Sequence, residues 1–181
     1  FTRASQLDPS DPDVWAALGV LYNITANFDL AERAFQRALE IDPTNYSYWN
    51  KLGATQANSH RVDGSKIAVK AYRKALELKP NYVRAWVNMG VSYANQHHGD
   101  LAAKYYLKAL SLNPRAEHVW RYLYQSLLSI QRPDLAELVG TKRPDLELIN
   151  DDDLAYAKIR LDEASLAVAS EHPSDIESPL A

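Results

Sequence analysis

Four asparagines carry the strongest chemical signal in this chain. Asn50 and Asn58 are eight residues apart with Ala54 midway, so on a helix all three share one stripe. Arg84, Asn88 and Asn95 make a second stripe at spacings of four and seven. Asparagine inside a helix costs roughly half a kcal/mol relative to alanine. Four of them converging with an arginine point to a ligand. Side-chain amides donate to the carbonyls of an extended peptide and accept from its N–H groups without reading its side chains. They also donate to a terminal carboxylate, each charge-assisted bond contributing roughly 1.5–3 kcal/mol. Arg84 or Lys51 supplies the positive field for an anionic end, and Ala54, Ala57 and Val91 leave a dry pocket beside the donors. A leucine-sized side chain buried there contributes roughly 1.5–3 kcal/mol.

The elements that position these residues follow from a repeat. The four tryptophans are Trp15, Trp49, Trp86 and Trp120, a period close to 34 residues. Leu18-Gly19, Leu52-Gly53 and Met89-Gly90 follow three of them in one register, and Leu123-Tyr124 breaks the glycine in the fourth. Each second helix carries small–large–small residues and then a proline. These are Ala31, Phe35, Ala38 and Pro43, then Ala68, Tyr72, Ala75 and Pro80, then Ala102, Tyr106, Ala109 and Pro114. The glycine lets the partner helix come close where a side chain would hold it off, and the proline ends the helix before it. Period and register together resemble the tetratricopeptide repeat. The expected fold is all-α, a superhelical solenoid of helix–turn–helix units with C-terminal capping helices.

The register divides the chain. Residues 1–10 are expected to be the second half of a preceding repeat, with Phe1, Ala4 and Pro9 in its aromatic, alanine and proline slots. Lacking Met and signal-peptide anatomy at Phe1, the chain reads as a piece of a longer one. Full repeats are expected at 12–45, 46–82 and 83–116, the middle one with a turn three residues longer around 59–64. Residues 117–130 form the first helix of an incomplete repeat, with no small–large–small second helix after it. Capping helices fill 131–170, one starting at Asp151-Asp152-Asp153, and 171–181 is a Pro/Ser/acid-rich tail. First helices line the concave groove. The groove-facing positions include Val20 and Asn23 in the first unit, Ala94 in the third, and Tyr122, Gln125 and Ser129 in the fourth.

Composition narrows the function classes. The 181 residues carry 20 Lys+Arg against 23 Asp+Glu, a net charge of −3. No basic excess supports a nucleic-acid or polybasic membrane surface. With no cysteine, disulfides, thiol catalysis and Cys-based zinc sites are excluded. No apolar run approaches the roughly 20 residues of a membrane span. The five histidines are scattered, and no Ser/His/Asp order, phosphate loop or HExxH motif is present, so no catalytic, metal or cofactor site is expected.

The segment Asn50-Lys51-Leu52-Gly53-Ala54-Thr55-Gln56-Ala57-Asn58 resembles the type-1 peroxisomal targeting signal receptor. Tyr82-Val83-Arg84, Asn88-Met89-Gly90 and Asn95 are similar to that receptor's next repeat, and Leu18 to Asn23 to the repeat before. The resemblance spans about residues 1 to 130. It implies a cytoplasmic receptor that binds C-terminal Ser-Lys-Leu-like tripeptides of matrix enzymes, with their folded cargo. It further implies cycling to the peroxisome, or glycosome, through membrane docking proteins. By the same resemblance Asn50, Asn58, Asn88 and Asn95 hold the peptide, Arg84 belongs to the same site and Ala54 borders the last side chain. Lys51 and Thr55 complete the expected peptide-binding residues, and Arg121, where the family has a small polar residue, is expected at the rim. The rival is a co-chaperone clamp for an acidic chaperone C-terminus. Such clamps want lysine and asparagine where this chain has Ala16 and Val20. A generic scaffold is the third reading, and it leaves the asparagines unexplained.

Overall fold

A computed structural model of the chain describes residues 10–59 and 61–141. The half-repeat expected at 1–10, the capping helices after residue 141 and the tail therefore lie essentially outside the described residues. Eight α-helices follow in order: α1 Pro12–Ile24, α2 Phe28–Ile41, α3 Tyr46–Asn58, α4 Gly64–Leu78, α5 Val83–Asn95, α6 Gly99–Leu112, α7 Glu117–Ser129 and α8 Pro133–Thr141. There is no strand among the described residues. Asp11 caps α1 by accepting from the N–H of Asp13, and Pro12 opens it where no intrahelical donor is needed. Asn45 caps α3 in the same way, accepting from Ser47 and Tyr48.

Size complementarity holds each pair together. A methyl group on Gly19, Gly53 or Gly90 would come within 2.7, 2.6 and 2.4 Å of the rings of Phe35, Tyr72 and Tyr106. The glycine of each first helix is therefore the socket for the aromatic of the second. The flanking alanines Ala31, Ala38, Ala68, Ala75, Ala102 and Ala109 are all fully buried, where a longer side chain would push the helices apart. Between units, three tryptophan indoles donate to the carbonyl of the proline six residues earlier. Trp49 reaches Pro43 at 2.8 Å, Trp86 reaches Pro80 at 2.7 Å and Trp120 reaches Pro114 at 2.8 Å. Tryptophan and proline, read separately from the sequence, are two ends of one hinge.

Three of the four turns within pairs share one design. Ala26, His97 and Gln131 adopt φ of 57°, 63° and 59°. After each, an N–H returns to a carbonyl five residues back: Asn27 to Tyr22, His98 to Tyr93 and Arg132 to Leu127, at 2.8 to 3.0 Å. This is the Schellman closure of a helix end. The longer turn of the second pair does without it. Ser59 leaves α3 in an extended conformation, and its hydroxyl donates to the Gln56 carbonyl at 2.7 Å. The Arg61 guanidinium pairs with Glu32 on α2, which also accepts from the Gln56 amide at 2.8 Å. A turn that length alone would loosen is thus tied to the preceding unit.

Successive first helices α1, α3, α5 and α7 touch one another, whereas α2, α4 and α6 do not. The array therefore curves with first helices on its inner side. The last pair is built differently. In the segment expected to hold capping helices, α8 packs on α7 and buries Ala136 to 1% exposure in the first small slot. The large slot, four residues on, holds Gly140.

Candidate functional site

The asparagine stripes divide into a buried half and an open half. Asn50 is 8% exposed and accepts a hydrogen bond from the Asn88 amide at 3.0 Å, joining α3 to α5. That bond uses one oxygen of Asn50 and one N–H of Asn88. It leaves the Asn50 amide nitrogen and the Asn88 carbonyl without partners among the described residues. An amide donor and a carbonyl acceptor are what an extended peptide backbone requires. Asn58 is exposed and makes no side-chain hydrogen bond among the described residues, and Asn95 is exposed with a long 3.4 Å contact to the Ser65 hydroxyl. Arg84 is exposed and makes no ion pair among the described residues, a positive charge on the same helix as Asn88 and Asn95.

Two expected members have other work. Thr55 is 1% exposed; its hydroxyl accepts from Asn23 at 2.8 Å and donates to the Lys51 carbonyl at 2.9 Å. Its donor is used and its hydroxyl is buried, so Thr55 joins helices and does not face a ligand. Lys51 donates to Ser47 at 3.1 Å and stands 5.6 Å from the Tyr48 ring, folded along its own helix. Tyr48 in turn donates to the Asp13 carboxylate on α1. Burial first, then that carboxylate, pushes the Tyr48 phenol well above its ordinary range. Arg121 is exposed and makes no ion pair.

Asn23 was missed as a site residue although its position faces the groove. Its amide holds Thr55, and its carbonyl oxygen is buried with no partner. The signal available was an asparagine near the end of a first helix, as at 58 and 95. Neither of two surface clefts is lined by Ala54, Ala57 or Val91, where a pocket was expected. One, of about 320 Å³, lies between the α5–α6 turn and α7. The other, of about 310 Å³, has Trp49, Leu52 and Ile67 as its floor and Lys70 and Lys74 beside it. No group of histidine, aspartate and glutamate among the described residues could hold a metal ion. No helix among them is long and apolar enough to cross a membrane.

Paired helices around an inner groove define a helical-repeat array. Residues 12–116 are tetratricopeptide repeats: family models of that name match residues 12–45 and 83–116, with further repeat models at 34–66 and 67–96. Among solved structures, MamA overlays with a TM-score of 0.71 at 20% identity, covering 78% of this chain and 81% of that one. The first repeat domain of Spaghetti (RPAP3), bound to the HSP90 peptide SRMEEVD, overlays at 0.62 with 18% identity, over 68% of this chain and 96% of that one. Both likenesses concern the fold. The peroxisomal targeting signal 1 receptor of Dictyostelium discoideum is 51% identical over 63 residues, 34% of this chain and 10% of the receptor. The corresponding receptor of Yarrowia lipolytica is 43% identical over 67 residues, 35% and 11%. A separate 44-residue match, 59% identical, is to aminopeptidase N of Streptomyces lividans, covering 24% of this chain and 5% of that enzyme. The chain thus spans about a tenth of the length of the receptors it matches.

Proposed function

We propose that this repeat array is the cargo-binding part of a peroxisomal or glycosomal import receptor, and that its groove takes Ser-Lys-Leu-like C-termini of matrix proteins. The observation that carries the reading is the Asn50–Asn88 hydrogen bond, which joins α3 to α5 and leaves one amide nitrogen and one carbonyl oxygen unused among the described residues. Asn58, Asn95 and Arg84 are exposed on the same two helices. The 51% identity to a targeting signal receptor supports the same ligand class. On this reading the amides of Asn50, Asn58, Asn88 and Asn95 hold the peptide backbone and its carboxylate. Arg84 contributes charge, Ala54 borders the last side chain, and Arg121 lies at the rim. Lys51 and Thr55 act through the groove wall. The receptor would work in the cytoplasm and meet docking proteins at the organelle membrane.

The test is a titration by calorimetry or anisotropy with three peptides. One ends in Ser-Lys-Leu, one is the same peptide amidated, and one ends in Glu-Glu-Val-Asp. Binding of the first, with affinity falling at least about 10-fold on amidation, supports the proposal. Preference for the acidic peptide would replace it with the co-chaperone reading. Equal indifference to all three would leave a scaffold.

A further inference from the structure

The cleft between the α5–α6 turn and α7 has an interior unlike the asparagine stripes. Ala94 and the rings of Tyr106 and Tyr122 are among the residues that wall it, the ring centroids 5.6 Å apart and tilted by 41°. Gln125, Ser126 and His97 contribute polar groups to the same wall. No acid, lysine or arginine is among its lining residues. Ser126 is 5% exposed, and no hydrogen bond reaches its hydroxyl among the described residues. Gln125 is exposed and its amide is likewise unpartnered. Ala94, Tyr122, Gln125 and Ser129 occupy groove-facing positions of their first helices, so the cleft lies on the groove side of the array.

These features select a ligand group. A charged side chain meets no countercharge here, so its desolvation is not offset. A purely apolar one leaves the Ser126 hydroxyl unpaired. An aromatic ring with a polar tip meets the exposed Tyr122 ring, which Tyr106 backs from the core, and reaches the hydroxyl or amide. The volume, about 320 Å³, lies at the small end of ligand pockets, suited to one bulky side chain. We propose that this cleft is a specificity subsite that takes a tyrosine or tryptophan of the bound peptide, upstream of its C-terminus. The proposal rests on the receptor reading for the origin of the peptide, and on the cleft alone for the chemistry.

The test scans tyrosine, tryptophan, phenylalanine and alanine through each position upstream of a Ser-Lys-Leu terminus and measures affinity by anisotropy. At one upstream position tyrosine or tryptophan should bind about 5- to 10-fold more tightly than alanine, with phenylalanine between them. Tyr122→Ala should abolish that gain, read as the ratio of tyrosine-peptide to alanine-peptide affinity in the same variant. Ser126→Val should remove the difference between tyrosine and phenylalanine, and serves as the second variant if Tyr122→Ala loses helix content. A flat scan with tight Ser-Lys-Leu binding would overturn the subsite and leave the receptor reading standing. If no Ser-Lys-Leu peptide binds, the receptor reading fails and the cleft is probed with N-acetyl-tyrosinamide by NMR. Shifts at Ser126 and Gln125 that vanish in Tyr122→Ala sustain the subsite's chemistry, and their absence at millimolar probe overturns it.

Discussion

Tyr124 and Gly140 face each other across the last helix pair with the sizes of the earlier pairs exchanged. In the first three pairs the first helix carries the glycine and the second the ring. Here the first helix carries the ring, and a methyl on Gly140 would come within 3.2 Å of the Tyr124 Cε2 atom. Complementarity survives with its two halves swapped, which is why a search for the usual order misses this pair.

The exchange predicts unequal responses to the same substitution. Gly53→Ala drives a methyl to 2.6 Å from Tyr72, a ring that is 2% exposed and has nowhere to go. It should destabilise by about 1–3 kcal/mol. Gly140→Ala meets a ring that is 38% exposed and free to move aside, and alanine gains roughly 1 kcal/mol in helix propensity. Its net effect should stay within about 0.5 kcal/mol. Urea unfolding followed by circular dichroism compares them, and equal destabilisation would mean that Tyr124 is held as rigidly as Tyr72.

The left-handed turns predict a gain. Ala26 and Gln131 sit at φ of 57° and 59°, where a side chain costs about 1–2 kcal/mol. Glycine removes that strain and gives back part of it as unfolded-state entropy. Ala26→Gly and Gln131→Gly should each stabilise by about 0.5–1 kcal/mol. Ser59→Gly, at φ of −62°, should stabilise nothing. A thermal melt series separates these cases.

Glu32 links two units through the longer turn, and its partners differ in burial. Arg61 is 42% exposed at the side chain, so Arg61→Ala removes a surface ion pair worth about 0.2–1 kcal/mol. Gln56 is 8% exposed, and its carbonyl oxygen is already buried without a partner. Glu32→Ala also orphans its amide and should cost about 1–3 kcal/mol. If chemical denaturation finds the two variants equally destabilised, the hydrogen bond from Gln56 contributes nothing.

Most of the architecture was legible because it is written in residue size. Tryptophan, glycine, aromatic, alanine and proline each fill one geometric slot, so a period of about 34 states the fold directly. The asparagine stripes were legible as a groove surface for the related reason that helical spacing is local. Which amide bonds which is not local. Asn88 meets Asn50 across 38 residues, and Asn23 meets Thr55 across 32, on separate helices whose relative height no spacing reports. That is why Thr55 read as a ligand contact and Asn23 went unmarked.

The same division makes the last prediction, a separation of stability from binding. Asn88→Ala leaves the Asn50 oxygen unpaired on a residue only 8% exposed, costing about 1–3 kcal/mol of stability. It also removes the partner that fixes the orientation of the open donor, so peptide affinity should fall with it. Asn58→Ala removes an exposed amide with no internal bond. Its stability should stay within about 0.5 kcal/mol of the parent, while its peptide affinity should fall by about 0.5–1.5 kcal/mol, the worth of one neutral hydrogen bond. Urea titration and peptide calorimetry on both variants give four numbers. Combining Asn88→Ala with an amidated peptide adds a fifth, because two changes at one hydrogen bond should not sum. Additive effects would assign Asn88 to the peptide backbone and leave the carboxylate to Arg84. An Asn58→Ala variant that binds undiminished would take that residue out of the groove's binding surface.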